Sequence, residues 1–150
     1  MIIEIKNLMK TIALSHNMIN NFKHGDSFNI QKDGEDLHPQ FYLEYPFNIH
    51  YEKGYKDITF AYYISDIPSE GQEDDINLLN KIEQINDDIL TFLDLKDFAE
   101  FDELVSANSI TFNEWQGDNC VAIRTDITLR LKRTSNNCIA PFQFENDITI

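Results

Sequence analysis

Between Val121 and Lys132, apolar and polar residues alternate almost without a break. Val121, Ile123, Ile127, Leu129 and Leu131 fall on one side, interrupted by Thr125, while Ala122, Arg124, Asp126, Thr128, Arg130 and Lys132 fall on the other. Successive side chains of a strand point to opposite faces, so this pattern predicts a long antiparallel strand over Cys120 to Lys132. One of its faces lies on a core and the other is free to meet water or a partner. Upstream, Ile110 and Phe112 alternate with Thr111 and Asn113, and Gln116-Gly117-Asp118-Asn119 supplies turn residues, which together predict a hairpin.

Two other segments carry a helical period. Ile2, Ile3, Ile5, Leu8, Met9, Ile12, Ala13 and Ile19 recur at spacings of three and four and predict a packing helix from about Ile2 to Met18, with Asn20-Asn21 as its stop. Leu78, Leu79, Ile82, Ile85, Ile89, Phe92 and Leu93 form the stripe of a second helix, entered through Asp74 and Asp75, whose carboxylates suit a helix N-terminus. The spacing of Phe98, Phe101, Leu104 and Val105 continues this helix through a bend into a short helical piece over Asp94 to Val105.

Between the two helices the period is two. Phe41 to Tyr45 reads as a strand ended or edged by Pro46, and Ile58 to Ser65 reads as its partner, with Lys53-Gly54 in the turn. Phe22 to Gln40 is polar, with turn signals at His24-Gly25-Asp26 and Asp33-Gly34-Glu35-Asp36 around a short Ser27 to Ile30 run, and reads as a hairpin or an extended loop. The order is helix, loop, two strands, helix, two strands, then an extended tail from about residue 134. The expected fold is a single α+β domain over 1–150: an antiparallel sheet of about four main strands with two helices packed on one face.

A chain of 150 residues buries a hydrophobic core without help from metals or disulfides. Its net charge of −14, from 26 acidic against 12 basic residues, disfavours a nucleic-acid groove, which needs concentrated positive charge. With 42% hydrophobic residues it is too apolar for a disordered acidic chain. Charge enters the first six residues too early for a signal peptide, and no apolar run approaches the length of a membrane span. Cys120 and Cys138 form no CxxC pair and read as free thiols in a reducing compartment.

Candidate chemistry is sparse. His16, His24, His38 and His50 lack the spacing of a metal pair, and Asp33 to Asp36 lacks the ligand ladder of a calcium loop, so neither a metal nor a cofactor is expected. Asp74-Asp75 and Asp87-Asp88 are adjacent pairs whose side chains diverge on a helix, which argues against paired acid/base work. No nucleophile elbow or phosphate cradle occurs, and an enzyme such as a small hydrolase is the minority reading.

Surface features point to protein partners instead. Arg124, Arg130, Lys132 and Arg133 hold four of the 12 basic residues within ten positions of an otherwise acidic chain. A cationic strand face against an acidic face of another copy is a head-to-tail complementarity, and such contacts close into rings. A solvated strand balanced by its own neighbours is the competing reading. The tail, with Phe142 and Phe144 inside Ile139 to Phe144, either adds a strand to a neighbouring subunit's sheet or folds back as an edge strand.

The succession of an N-terminal helix, the pair Phe41-Tyr42-Leu43-Glu44-Tyr45-Pro46 and Ile58-Thr59-Phe60-Ala61-Tyr62-Tyr63-Ile64, a long helix and a hairpin ending Asp126-Ile127-Thr128-Leu129-Arg130-Leu131 resembles the tail terminator, or tail completion, proteins of tailed bacteriophages. The resemblance covers most of residues 1 to 135 and rests on element order, length and texture. It implies a non-enzymatic virion component, assembled in the host cytoplasm, that forms a ring of six or more copies at the neck, between portal and tail proteins. DNA would pass through the lumen without specific binding. Subunit contacts are then assigned to Arg124, Arg130, Lys132, Arg133, Phe142 and Phe144. The alternative is an acidic, DNA-mimic module that masks a basic partner.

Overall fold

Ile5, Met9, Ile12 and Ala13 are the buried residues of the first helix, α1 (Ile2–Ser15), one stripe of a three-to-four-residue period. The computed structural model describes residues 1–26, 37–68, 74–113 and 120–133. After α1 come strands β1 (Asn21–Asp26), β2 (Gln40–Tyr51) and β3 (Tyr55–Asp66), helix α2 (Asp75–Leu95), and strands β4 (Glu103–Phe112) and β5 (Val121–Lys132). They form one five-stranded sheet in the order β1-β2-β3-β5-β4.

Both helices lie on one face of that sheet. The stripes of α1 and of α2 (Leu78, Ile82, Ile85, Ile89, Leu93) share a single core with Phe41 and Leu43 of β2, Ile58, Phe60, Tyr62 and Ile64 of β3, and Val121, Ile123, Ile127 and Leu129 of β5. α2 starts where the sequence predicts: the Asp74 carboxylate accepts the Asn77 N–H at 2.9 Å, a cap that contributes about 1 kcal/mol. No helix among the described residues is long and apolar enough to cross a membrane.

The α+β class and the helix layer agree with the pattern of the chain, and four details differ. The sheet has a fifth strand, β1, which runs parallel to β2 within the stretch that reads as a loop. Asn21–Asp26 holds one large apolar residue and a glycine, so it shows no period; it is held instead by partners on β2. The Phe22 ring stacks on Phe41 at 5.7 Å, His24 bonds Tyr45 at 2.7 Å, and Asn21 donates to Gln40 Oε1 at 3.1 Å.

β2 continues past Pro46, because a shift in register between Glu44 and Asn48 takes the proline out of the ladder, where its missing N–H costs nothing. α1 ends at Ser15, three residues short of the expected Met18, with His16 already extended. No short helix follows α2. Phe98 stacks on Phe101 at 5.2 Å, and Asp102 ties the bend to β5: its N–H donates to Arg130 O at 2.7 Å and its carboxylate accepts the Lys132 N–H at 2.7 Å. That anchorage delivers Leu104 and Val105 into β4 instead of a helical turn.

Candidate functional site

The outer face of the sheet carries the predicted cationic ribbon, and register decides what it meets. β5 pairs antiparallel with β3 over its whole length, so Arg130 stands opposite Asp57, Thr128 opposite Thr59 and Arg124 opposite Tyr63. Arg130 grips Asp57 with two parallel bonds, Nε to Oδ1 at 2.9 Å and Nη2 to Oδ2 at 3.1 Å, and its guanidinium lies 4.0 Å from the centre of the Tyr55 ring. Arg124 donates to the Tyr63 hydroxyl at 2.8 Å, to Asp126 at 3.2 Å and to Glu44 at 3.4 Å. Arg133 lies over Tyr51 and donates to the Glu52 carbonyl at 3.2 Å.

Three of the four basic candidates thus have partners within their own subunit. The fourth, Lys132, is exposed, and its backbone N–H is held by Asp102. Phe142 and Phe144 lie outside the described residues, as do Cys138, the Asp33 to Asp36 turn and the Gln116 to Asn119 turn. The outer face is also not uniformly open. At its Ser65 end Tyr42, Tyr63, Cys120 and Ala122 are buried in a second cluster with Phe112 against it, and burial pushes the Tyr63 hydroxyl above its ordinary pKa.

The Asp57 pair carries a pH signature. The hydrogen bonds from Arg130 hold the Asp57 carboxyl below its usual range. A lowered folded-state pKa contributes stability above the ordinary carboxylate value and loses it as pH falls through the lowered one. Asp57→Asn is therefore expected to be less stable than the parent at neutral pH, with the gap closing below about pH 4. Urea melts across that range check it, and parallel curves for the two proteins would remove the pair from the acid limb.

Between the helices lies a groove of about 400 Å³, walled by Leu8 and Ile12 of α1, Ile89 and Phe92 of α2, and Phe98 of the bend. Ser15, His16 and Asp88 stand together at its rim, a trio whose names suggest nucleophilic catalysis, yet their wiring differs from that of a catalytic triad. His16 Nδ1 accepts the Met18 N–H at 3.1 Å, so Nε2 carries the proton and donates to Asp88 Oδ2 at 2.8 Å. Neither ring nitrogen is left to take a proton from a hydroxyl, and Ser15 Oγ donates to the Thr11 carbonyl at 2.6 Å. The His16–Asp88 bond fastens the end of α1 to α2. Among the described residues no group of three potential metal ligands converges.

Sequence reasoning placed a strand at Ile110 to Phe112, but missed that β4 begins at Glu103 and forms an edge of the described sheet. Its ten residues carry one charge, Glu103, and neither lysine nor proline, the residues that commonly blunt an exposed edge. Among the described residues β4 pairs with β5 alone, and Val105 and Ile110 are 40% and 57% exposed. A register shift between Leu104 and Ser106 kinks the Glu103 end, which leaves Ser106 to Phe112 as the regular stretch. α2 flanks this edge: a trough of about 360 Å³ runs between Leu90 and Leu95 of the helix and Leu104 to Ala107 of the strand, with Leu95 75% exposed. The sequence signal is present in hindsight: Leu104 to Asn113 is a ten-residue run free of charge.

Compared with known proteins, the chain matches no family model and no curated protein.

Proposed function

We propose that the chain is a structural subunit that assembles with copies of itself into a ring, as the tail terminator proteins of tailed phages do at the neck between portal and tail. The observation that supports this is the β4 edge, unpaired on its outer side among the described residues, with α2 beside it. A strand from a neighbouring copy laid along β4 would gain main-chain hydrogen bonds and bury its inward side chains in the trough against Leu90 and Leu95. Charge directs copies to the same place. On a chain of −14 most approaches bring like charges together, whereas β4 is close to neutral.

A head-to-tail contact of this kind closes into a ring when its rotation divides a circle. The acidity then has a use, because an acidic lumen repels phosphates and lets a duplex slide without sticking. In this reading the subunit contact shifts from the Arg124 to Arg133 ribbon, whose arginines are already engaged, to the sheet edge.

The test is particle mass by light scattering together with electron microscopy. Rings of uniform size are expected from the parent chain. Val105→Lys with Ile110→Lys is expected to yield monomers with an unchanged circular dichroism spectrum and melting temperature, since both side chains are exposed. A parent chain that stays monomeric at high concentration, or rings that survive the double lysine change, would overturn the assignment.

A further inference from the structure

We propose that the groove between α1 and α2 docks a basic amphipathic helix of a partner protein. This stands on observations separate from the sheet edge. At about 400 Å³ the groove falls within the size range of built binding sites. Its walls are apolar, and Phe92 stays 42% exposed. The aromatic wall is braced from behind: Phe92 and Phe98 lie 5.7 Å apart, and Phe98 stacks on Phe101 at 5.2 Å. A trough between two helices is filled by a third helix that presents apolar anchors one turn apart.

The charge of the occupant follows from the rim. Asp88 stands at the mouth, mostly exposed, with only Oδ2 engaged by His16 among the described residues. An anionic amphiphile would set its head group against Asp88 on a protein of net charge −14. A lysine or arginine beside the apolar anchors would instead find the exposed Asp88 carboxylate.

The experiment uses the full chain and a short model helix of leucine and lysine in amphipathic order, titrated by calorimetry at low and physiological salt. Binding to a single site is expected. A peptide of the same composition in scrambled order should bind about tenfold more weakly or worse, because charge alone does not fill the groove. Asp88→Asn and Phe92→Ala should each weaken the ordered peptide about tenfold. Thr11→Trp, at an exposed rim position, should block the groove while leaving the fold intact, so the outcome does not hang on Phe92→Ala folding. Equal binding of ordered and scrambled peptides, insensitivity to all three substitutions, or a preference for laurate over the cationic helix would each overturn the proposal. Ring assembly is read separately by particle mass, so either proposal can fail alone.

Discussion

Asn86→Ala should lower stability by about 3 kcal/mol, because it breaks a closed circuit of hydrogen bonds between helix and sheet, buried at Tyr62, Asn86 and Thr125 and reaching the surface at Ser109. Tyr62 donates to Asn86 Oδ1 at 2.6 Å and Thr125 donates to the same oxygen at 3.1 Å. Asn86 Nδ2 donates to Ser109 Oγ at 3.1 Å, and Ser109 lies 2.8 Å from Thr125 Oγ1, which completes the circle. Tyr62 and Thr125 are fully buried and Asn86 nearly so, which leaves almost no water to replace a lost partner. Burial also pushes the Tyr62 pKa far above its ordinary value, so the hydroxyl remains a donor throughout the working pH range.

Alanine at 86 leaves the buried Tyr62 hydroxyl without its acceptor, while Thr125 can turn its hydroxyl to Ser109, and the cost is that of stranding a polar group, beyond the loss of the bonds themselves. The melting temperature should fall by roughly 6–12 °C for a chain of this size. A second variant separates these terms. Asn86→Leu with Thr125→Val and Tyr62→Phe removes the buried polar groups together and should recover much of the loss, because an apolar replacement of a whole network approaches neutrality. Urea midpoints at constant slope check both, and a triple variant no better than Asn86→Ala would show that the shape of the network matters more than its polarity.

Phe41→Ala should cost about 4 kcal/mol, the usual toll for deleting a buried ring. Phe41 is fully buried, and its ring lies between Tyr62 at 4.7 Å and Phe22 at 5.7 Å. It joins the centre of the sheet to β1, the strand with the weakest pattern of its own. The damage should therefore be uneven: amide exchange over Asn21–Asp26 rises first and most, while that of β3 and β5 follows the global loss. Phe41→Leu, which keeps most of the volume, should cost under about 2 kcal/mol. Uniform acceleration of exchange across the sheet would remove the special role given to this ring.

Period and caps were enough to place both helices and the three strands that touch the core, because burial of one face imposes a pattern that side chains must obey. β1 escaped for the same reason, as did the Glu103 half of β4, whose Phe112 end alone was legible in the hairpin pattern. Each lies at an end of the sheet and buries little, so tertiary partners such as Phe41 and the Asp102 anchor decide their conformation. The break at Thr125 was visible as an interruption, but its partner Asn86 lies 39 positions away and nothing local links them. The arginine ribbon was equally visible, and the unforeseeable part was register: Asp57, 73 positions from Arg130, meets it only once β3 and β5 are aligned. The groove is built from stripes correctly read as core, and only the spacing of two helices reveals that their contact leaves room.

The place of β5 between β3 and β4 has a bearing on synthesis. On the ribosome β1, β2, β3, α2 and β4 all emerge before the strand that joins β3 to β4 in the sheet. Until then β3 has a vacant flank, and the apolar stripe of α2 has only part of its floor. A nascent chain of this topology closes late, by long-range pairing, and passes through a stage in which uncovered strands invite wrong neighbours. Its dense negative charge keeps unfinished copies apart during that interval.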